Sequence, residues 1–304
     1  GGFFAGQGVS AMVWVGVAFN NGWQTLPGAL QWKKIGAVMR RFRRFPLFSM
    51  PSSLLNALVT RLPFLVLAYY ADPAAVGYFG RAFAVLAVPL SVLGGAASQV
   101  FFVDGAEAIR RGTLAALTAR VYGRLVAMGL FPTLALVVAG PELRTVVFGP
   151  PWREAGVFLQ ILAPWLFLAS VASALTRVFD IMERQRLDLA SSAGLFVVQA
   201  TALLVAGQTG DVYTIVWAAG IAGAVSRLAH IGLLVRIAGG GMADVLRPYG
   251  VWGLRSLPFL AVVALTYRLE PAWVGIVSAA GAGAGYLAAL YFHELYSHKR
   301  NPPA

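Results

Sequence analysis

Long apolar stretches separated by short polar links dominate the pattern of this chain. A helix needs about 20 apolar residues to cross a bilayer. On that criterion the sequence predicts nine spans, with approximate limits of 3–23, 46–70, 77–103, 115–139, 155–179, 190–207, 212–235, 251–267 and 272–292. The stretches are continuously apolar rather than alternating, which favours helices over the strands of a membrane barrel. The chain is therefore predicted to be an all-α integral membrane protein.

Composition agrees with this prediction. Apolar residues make up 59% of the 304 residues and charged residues only 12%, whereas a soluble domain carries about 25% charged residues. The mean hydropathy is +0.72. The chain has no cysteine, which excludes disulfides, thiolate metal sites and a cysteine nucleophile.

The basic residues are concentrated in alternate links, as expected for cytoplasmic loops. Only Arg144, Arg153 and Arg268 fall in the opposite links. The bias predicts an N-terminus outside and a cytoplasmic C-terminus in the cell (inner) membrane, and it explains the net charge of +12 without nucleic acid. The residues predicted on the cytoplasmic side are Lys33, Lys34, Arg40, Arg41, Arg43, Arg44, Arg110, Arg111, Arg120, Arg124, Arg177, Arg184, Arg186, Arg236, Arg247, Arg255, Lys299 and Arg300.

Motifs for catalysis are missing, so the sequence does not predict an enzyme, a metal site or a cofactor. His293 and His298 are five residues apart, which places them on different faces of a helix, unlike the histidines of a metalloprotease. There is no phosphate-binding glycine loop and no nucleophile elbow. The acids at span ends, such as Asp104 and Glu107, are interpreted as interfacial charges.

The spans themselves bury basic groups rather than acids. All twelve Asp and Glu residues are assigned to links or span ends, so no cation-coupling carboxylate is predicted in this part of the protein. Arg61 lies about 9 residues, or roughly 14 Å, from the outer end of its span, too far for snorkelling. It is predicted to line a water-filled cavity. Arg81 is about one turn inside its span, so snorkelling competes with a cavity role. For Arg227, beside His230, a snorkelled or interhelical role competes with substrate contact.

A buried arginine needs an anion, and the spans supply no carboxylate at their centres. We therefore expect the anion to belong to the substrate, because guanidinium groups bind phosphate bidentately. Gln99, Gln160 and Gln199 could face the same interior, although glutamine in a span often bridges helices. Trp152 and Trp165 are predicted at the headgroup boundary. The candidate cavity residues are Arg61, Arg81, Asn56, Gln99 and Arg227.

Several short motifs resemble the polysaccharide-export branch of the multidrug/oligosaccharidyl-lipid/polysaccharide exporter superfamily. They are Phe45-Pro46 followed by Leu54-Leu55-Asn56, the run from Val76 to Ala82, Pro89, Gln99-Val100-Phe101, the run from Phe148 to Ala155, and Ile161 to Pro164. The resemblance covers residues 40–205. It implies a two-lobe transporter that moves undecaprenyl-diphosphate-linked oligosaccharides to the outer leaflet by alternating access, and it places Arg81 at the arginine of a family pattern.

The resemblance also implies a domain organisation. Residues 1–24 would be the last helix of a truncated N-terminal lobe, 25–45 a basic cytoplasmic connector, 46–237 a six-helix C-terminal lobe, and 238–304 two additional helices with a cytoplasmic tail. Because the chain begins within a span at Gly1, we expect it to be part of a longer protein whose first lobe completes the transporter. A drug/cation antiporter of the same superfamily and a membrane polysaccharide polymerase or ligase remain alternatives.

Overall fold

The structure is a computed structural model, and it describes residues 45–149, 152–266 and 273–300. The chain divides into two compact units, Gly1–Met50 and Pro51–Ala304. After a short π-helical segment, Phe45–Ser49, the described part forms nine α-helices. These are α1 Met50–Tyr70, α2 Pro73–Arg110, α3 Leu114–Phe148, α4 Arg153–Leu175, α5 Arg177–Ile181, α6 Gln185–Gly207, α7 Val212–Ile237, α8 Met242–Thr266 and α9 Trp273–Arg300.

Seven segments of the described chain are long and apolar enough to cross a membrane, and α9 contains a shorter apolar stretch, Val277–Tyr291. The prediction of an all-α membrane protein is confirmed. Each predicted span from residue 46 onward corresponds to one of these helices. The predicted first span, 3–23, and the connector, 25–45, lie outside the described residues, apart from Phe45.

Side-chain caps and glycine turns explain why the helices reverse where they do. Asp72 caps α2, its Oδ1 accepting the Ala74 amide at 2.8 Å, and Pro73 supplies a first helical residue that needs no amide hydrogen bond. Asp211 caps α7 in the same way by accepting the Thr214 amide at 2.8 Å. Between α7 and α8, Gly239 has a φ of +94°, a left-handed conformation that glycine adopts without strain.

Helix α4 lies at the centre of the bundle, where it packs against α2, α3 and α7. Trp165 of α4 is fully buried, and a Cβ added to Gly223 of α7 would lie 2.4 Å from its ring. Small residues permit such close helix approach in membranes. The prediction of Trp165 at the headgroup boundary was therefore wrong. The hydropathy pattern does not distinguish a tryptophan in the core of the bundle from one at the membrane interface.

Helices α8 and α9 pack against α3 rather than standing apart from the bundle. The Tyr122 hydroxyl donates to the Val245 carbonyl at 2.9 Å, and the Tyr286 hydroxyl donates to the Ala127 carbonyl at 2.5 Å. Phe131 stacks on Tyr286 with ring centroids 4.8 Å apart. These contacts attach the last two helices to the lobe on α3.

Candidate functional site

Arg61 lies on the outward face of α1 and is exposed. Its neighbours on that face are apolar: Leu54 is 61% exposed and Leu65 60% exposed. Arg61 makes no hydrogen bond or ion pair within the described part of the chain. Exposure of an arginine to lipid near the bilayer centre costs about 2.5–3.5 kcal/mol on insertion scales. The Arg61 side chain is therefore suited to a polar compartment rather than to acyl chains.

Arg81 and Gln99 lie on the outward face of α2 and are both exposed. They are 18 residues apart, which is five full helical turns and about 27 Å along the axis. The Arg81 guanidinium carbon lies 5.1 Å from the centre of the Trp152 ring, and Tyr78 meets the same ring edge-on at 6.1 Å. Arg81 thus belongs to an aromatic cluster at one end of α2, and Gln99 belongs to the other end.

Arg227 has the opposite environment. It is only 7% exposed, and one of its terminal nitrogens donates to Asn56 Oδ1 at 3.0 Å. The bond joins α7 to α1, so Arg227 is an interhelical residue rather than a snorkelling one. No ion pair of Arg227 occurs within the described residues, and its Nε is buried without a partner.

The Arg227–Asn56 bond continues into a polar network that reaches α6. Asn56 Nδ2 donates to Ser192 Oγ at 2.7 Å, and Ser192 Oγ lies 2.8 Å from Ser52 Oγ. Asp188 lies one turn before Ser192 in the first turn of α6, and its Oδ1 is buried without a hydrogen-bond partner among the described residues. We call Arg227, Asn56, Ser192 and Ser52 the interior network.

Other polar groups in the bundle bridge helices singly. Gln199 donates to the Ala219 carbonyl at 3.2 Å, and Gln160 donates to the Val137 carbonyl at 2.7 Å. His230, one turn after Arg227, is 5% exposed and packs edge-on against Phe179. Neither of its ring nitrogens has a hydrogen-bond partner among the described residues. The two glutamines therefore have the helix-bridging role.

The structure brings together two of the five predicted cavity residues, Asn56 and Arg227, and leaves the other three on outward faces. Sequence reasoning missed Ser52 and Ser192, although they lie within the predicted spans 46–70 and 190–207. It also missed Asp188, which was assigned to a link because its span was predicted to begin at 190. The helix begins at Gln185, so Asp188 lies in its first turn. The i, i+4 spacing of Ser52 with Asn56 and of Asp188 with Ser192 was the available signal.

No group of three or more histidines and acids that could hold a metal ion occurs in the part of the chain that the structure describes. The site therefore consists of two regions with different chemistry. One is the outward faces of α1 and α2, which display Arg61 and Arg81, and the other is the interior network.

These features define a multi-pass helical membrane protein with arginines on an otherwise apolar face. The family model described as "Polysaccharide biosynthesis protein" matches residues 3–157, which is about half of the chain and includes α1, α2 and α3. The chain belongs to this family. No solved structure matches it.

A curated relative is the "Teichuronic acid biosynthesis protein TuaB" of Bacillus subtilis strain 168. It is 26% identical over 208 residues, which cover 66% of this chain and 41% of that protein. The chain thus spans about two fifths of the length of the relative that it matches. The family match contains Asn56, Arg61, Arg81 and Gln99, whereas Asp188 and Arg227 lie beyond it.

Proposed function

We propose that the protein is a flippase that moves a polyprenyl-diphosphate-linked oligosaccharide across the cytoplasmic membrane by alternating access, for O-antigen, capsule or exopolysaccharide synthesis. The observation that carries this proposal is Arg61, a cation midway along an apolar outward face that has no partner within the described residues. A transported diphosphate is an anion that would complete its coordination. Membership in the polysaccharide biosynthesis family supports a saccharide-bearing substrate.

The chemistry of Arg81 fits the same substrate at another point of its path. A cation–π contact uses the flat face of the guanidinium, while its N–H groups project from the edge. The N–H groups of Arg81 therefore remain available to donate hydrogen bonds to a phosphate while the guanidinium is packed against the Trp152 ring. An anion held first by Arg61 and then by Arg81 would travel along α1 and α2 towards the predicted outer side.

The proposal includes an organisation for the whole protein. Residues 46–237 would form one lobe, 238–304 two additional helices with a cytoplasmic tail, and 1–24 the end of a preceding lobe joined by the connector 25–45. The substrate would contact the outward faces of α1 and α2. The protein would act as a transporter rather than an enzyme.

A drug/cation antiporter is the second candidate, and Asp188 is the observation that favours it. A buried acid is the usual relay or ion ligand of cation-coupled carriers. The sequence argument against this function was that no carboxylate lies near the middle of a span. Asp188 lies at a helix end, in the first turn of α6, but its Oδ1 is buried. Antiport and flipping differ in what is moved, so a substrate assay separates them.

The test is deletion of the gene and analysis of lipid-linked saccharides in the membrane. A flippase predicts accumulation of lipid-linked repeat units on the cytoplasmic face, reversed by the wild-type gene. Normal flipping with shortened polymer would identify a polymerase instead. Unchanged polymer together with increased drug sensitivity would identify an antiporter, and either of the last two results would overturn the proposal.

A further inference from the structure

The end of α2 that carries Arg81 contains aromatic side chains that a diphosphate alone does not explain. The guanidinium carbon of Arg81 lies 5.1 Å from the centre of the Trp152 ring, and the Tyr78 ring meets the same indole edge-on, with centroids 6.1 Å apart. Phosphate binding needs only the N–H groups of the arginine. The two aromatic rings are therefore available for a further part of the ligand.

A turn before α4 fixes the position of Trp152. The carbonyl of Gly149 accepts the Trp152 amide at 3.1 Å, and Gly149 has a φ of +88°, a conformation that favours glycine. Helix α4 begins at the next residue, Arg153. The indole is thus placed by the start of the central helix, opposite the N-terminal part of α2.

Part of the Trp152 indole is open to a ligand. Tyr78 and Arg81 are three residues apart on α2 and so contact the ring from the same helix face. No other ring or cation contact of Trp152 occurs in the described part of the chain, and the residue is partly exposed. The side of the indole that faces away from α2 can therefore pack against a bound molecule.

A sugar ring fits this surface better than an acyl chain does. The face of an aromatic ring carries negative potential, and one face of a pyranose consists of C–H groups with partial positive charge. The Tyr78 hydroxyl can donate and accept hydrogen bonds, as sugar hydroxyls can, whereas an acyl chain would leave it without a partner. In a lipid-linked diphosphate saccharide the first sugar is bonded directly to the phosphate. One molecule can therefore contact both Arg81 and Trp152.

The competing role for an aromatic side chain at this depth is anchoring in the membrane interface, and Tyr213 provides a comparison. It lies at the start of α7 and is 40% exposed. Its hydroxyl donates to Glu154, which is two residues after Trp152 and so projects from a different side of α4. No arginine stacks on the Tyr213 ring within the described residues. Tyr213 therefore shares the depth of Trp152 but not its cationic neighbour.

From this geometry we infer that Trp152 and Tyr78 form a saccharide-binding surface beside Arg81, through which the protein prefers diphosphate lipids that carry a sugar. The phosphate accepts hydrogen bonds from the edge of the Arg81 guanidinium, and the first sugar packs against the indole. Trp152 is then a specificity residue for the sugar, while Arg81 recognises the diphosphate. This inference rests on the proposed flippase function.

The test measures equilibrium binding of two probes to the full-length protein in lipid nanodiscs. One probe is the polyprenyl-diphosphate saccharide extracted from the cell's own membranes, and the other is polyprenyl diphosphate without a sugar. The wild-type protein is expected to prefer the saccharide-bearing probe. Trp152→Leu keeps an apolar side chain but removes the aromatic face, and it should lower this preference by roughly 3- to 12-fold. Tyr213→Leu is the matched control and should keep the wild-type preference.

A wild-type preference in Trp152→Leu overturns the inference and leaves the flippase proposal intact, as does a wild-type protein that binds both probes equally. An equal loss of preference in Tyr213→Leu also overturns it and identifies an interfacial role for both residues. Trp152→Phe retains a ring face and must keep more of the preference than Trp152→Leu, or the inference fails. If Trp152→Leu does not reach the membrane, Tyr78→Leu replaces it and must lower the preference. Failure of the wild-type protein to bind either probe would instead reject the proposed function.

Discussion

Arg61 and Arg227 show how differently one residue type can be used in the same bundle. Arg61 projects from the outward face of α1 and has no partner in the described part of the chain. Arg227 is 7% exposed and hydrogen-bonded to Asn56. The exposed Arg61 is available to bind a ligand, while the buried Arg227 is hydrogen-bonded to the neighbouring helix α1. Substitutions should therefore separate transport from stability.

Arg61→Ala is expected to give the largest effect on transport. Loss of a charge-assisted contact to phosphate, about 1.5–3 kcal/mol, corresponds to a decrease of roughly 10- to 150-fold in transport rate. Membrane abundance should not change, because Arg61 makes no contact that supports the described bundle. The same direction is expected for Arg81→Ala. Wild-type polymer export by both variants would eliminate the cationic-cavity model.

Arg227→Met tests the other side of the comparison. Methionine fills part of the space but leaves Asn56 Oδ1 without its donor, which costs about 1–3 kcal/mol. We expect a lower unfolding temperature in detergent and reduced membrane abundance, in contrast to Arg61→Ala. The contrast between the two arginines would be lost if Arg227→Met unfolded at the wild-type temperature.

Two glycines of α7 extend the comparison to packing. A Cβ at Gly223 would meet the Trp165 ring at 2.4 Å, whereas nothing lies within 4 Å of a Cβ at Gly232. Gly223→Ala should lower the unfolding free energy by about 1–3 kcal/mol. Gly232→Ala should raise it by about 0.5–1 kcal/mol through the helical preference for alanine. Equal thermal shifts in the two variants would contradict the close α4–α7 approach.

Arg110→Ala and Arg184→Ala are expected to have the smallest effects. The Arg110 side chain is 70% exposed and pairs with Glu107 on the same helix, and exposed pairs of this kind contribute about 0–1 kcal/mol. Polymer export should stay within about twofold of the wild type. A null phenotype in either variant would mean that these arginines do more than set the topology.

Much of the helical architecture was predictable, because local hydropathy alone is enough to identify a membrane-spanning helix. The ends were harder: α2 starts at Pro73 and runs to Arg110, well beyond the predicted 77–103, since polar residues continue a helix outside the hydrophobic region. The charge bias still provides the prediction of orientation, with the C-terminus in the cytoplasm.

The candidate site was only partly predictable for a related reason. Arg61, Arg81 and Arg227 stand out as charges in apolar stretches, but hydropathy does not tell an inward face from an outward one. The partnership of Asn56 with Arg227 spans 171 residues of sequence, so it depends on how α1 and α7 pack. Asp188 was missed because the start of its span was predicted at 190 instead of Gln185, and this error assigned Asp188 to a link rather than to the helix.

The contact between Gly223 and Trp165 constrains how the molecule can move. The Trp165 indole packs directly against the backbone of Gly223, which has no side chain that could rearrange. Helices α4 and α7 therefore cannot slide or rotate past each other without opening a void. The two helices must therefore travel as one rigid body during any transport cycle. Helices α1 and α2 contain internal prolines, Pro63 and Pro89, and they are also the helices that carry Arg61 and Arg81. Bending at these prolines would therefore move the charged residues relative to the α4–α7 pair.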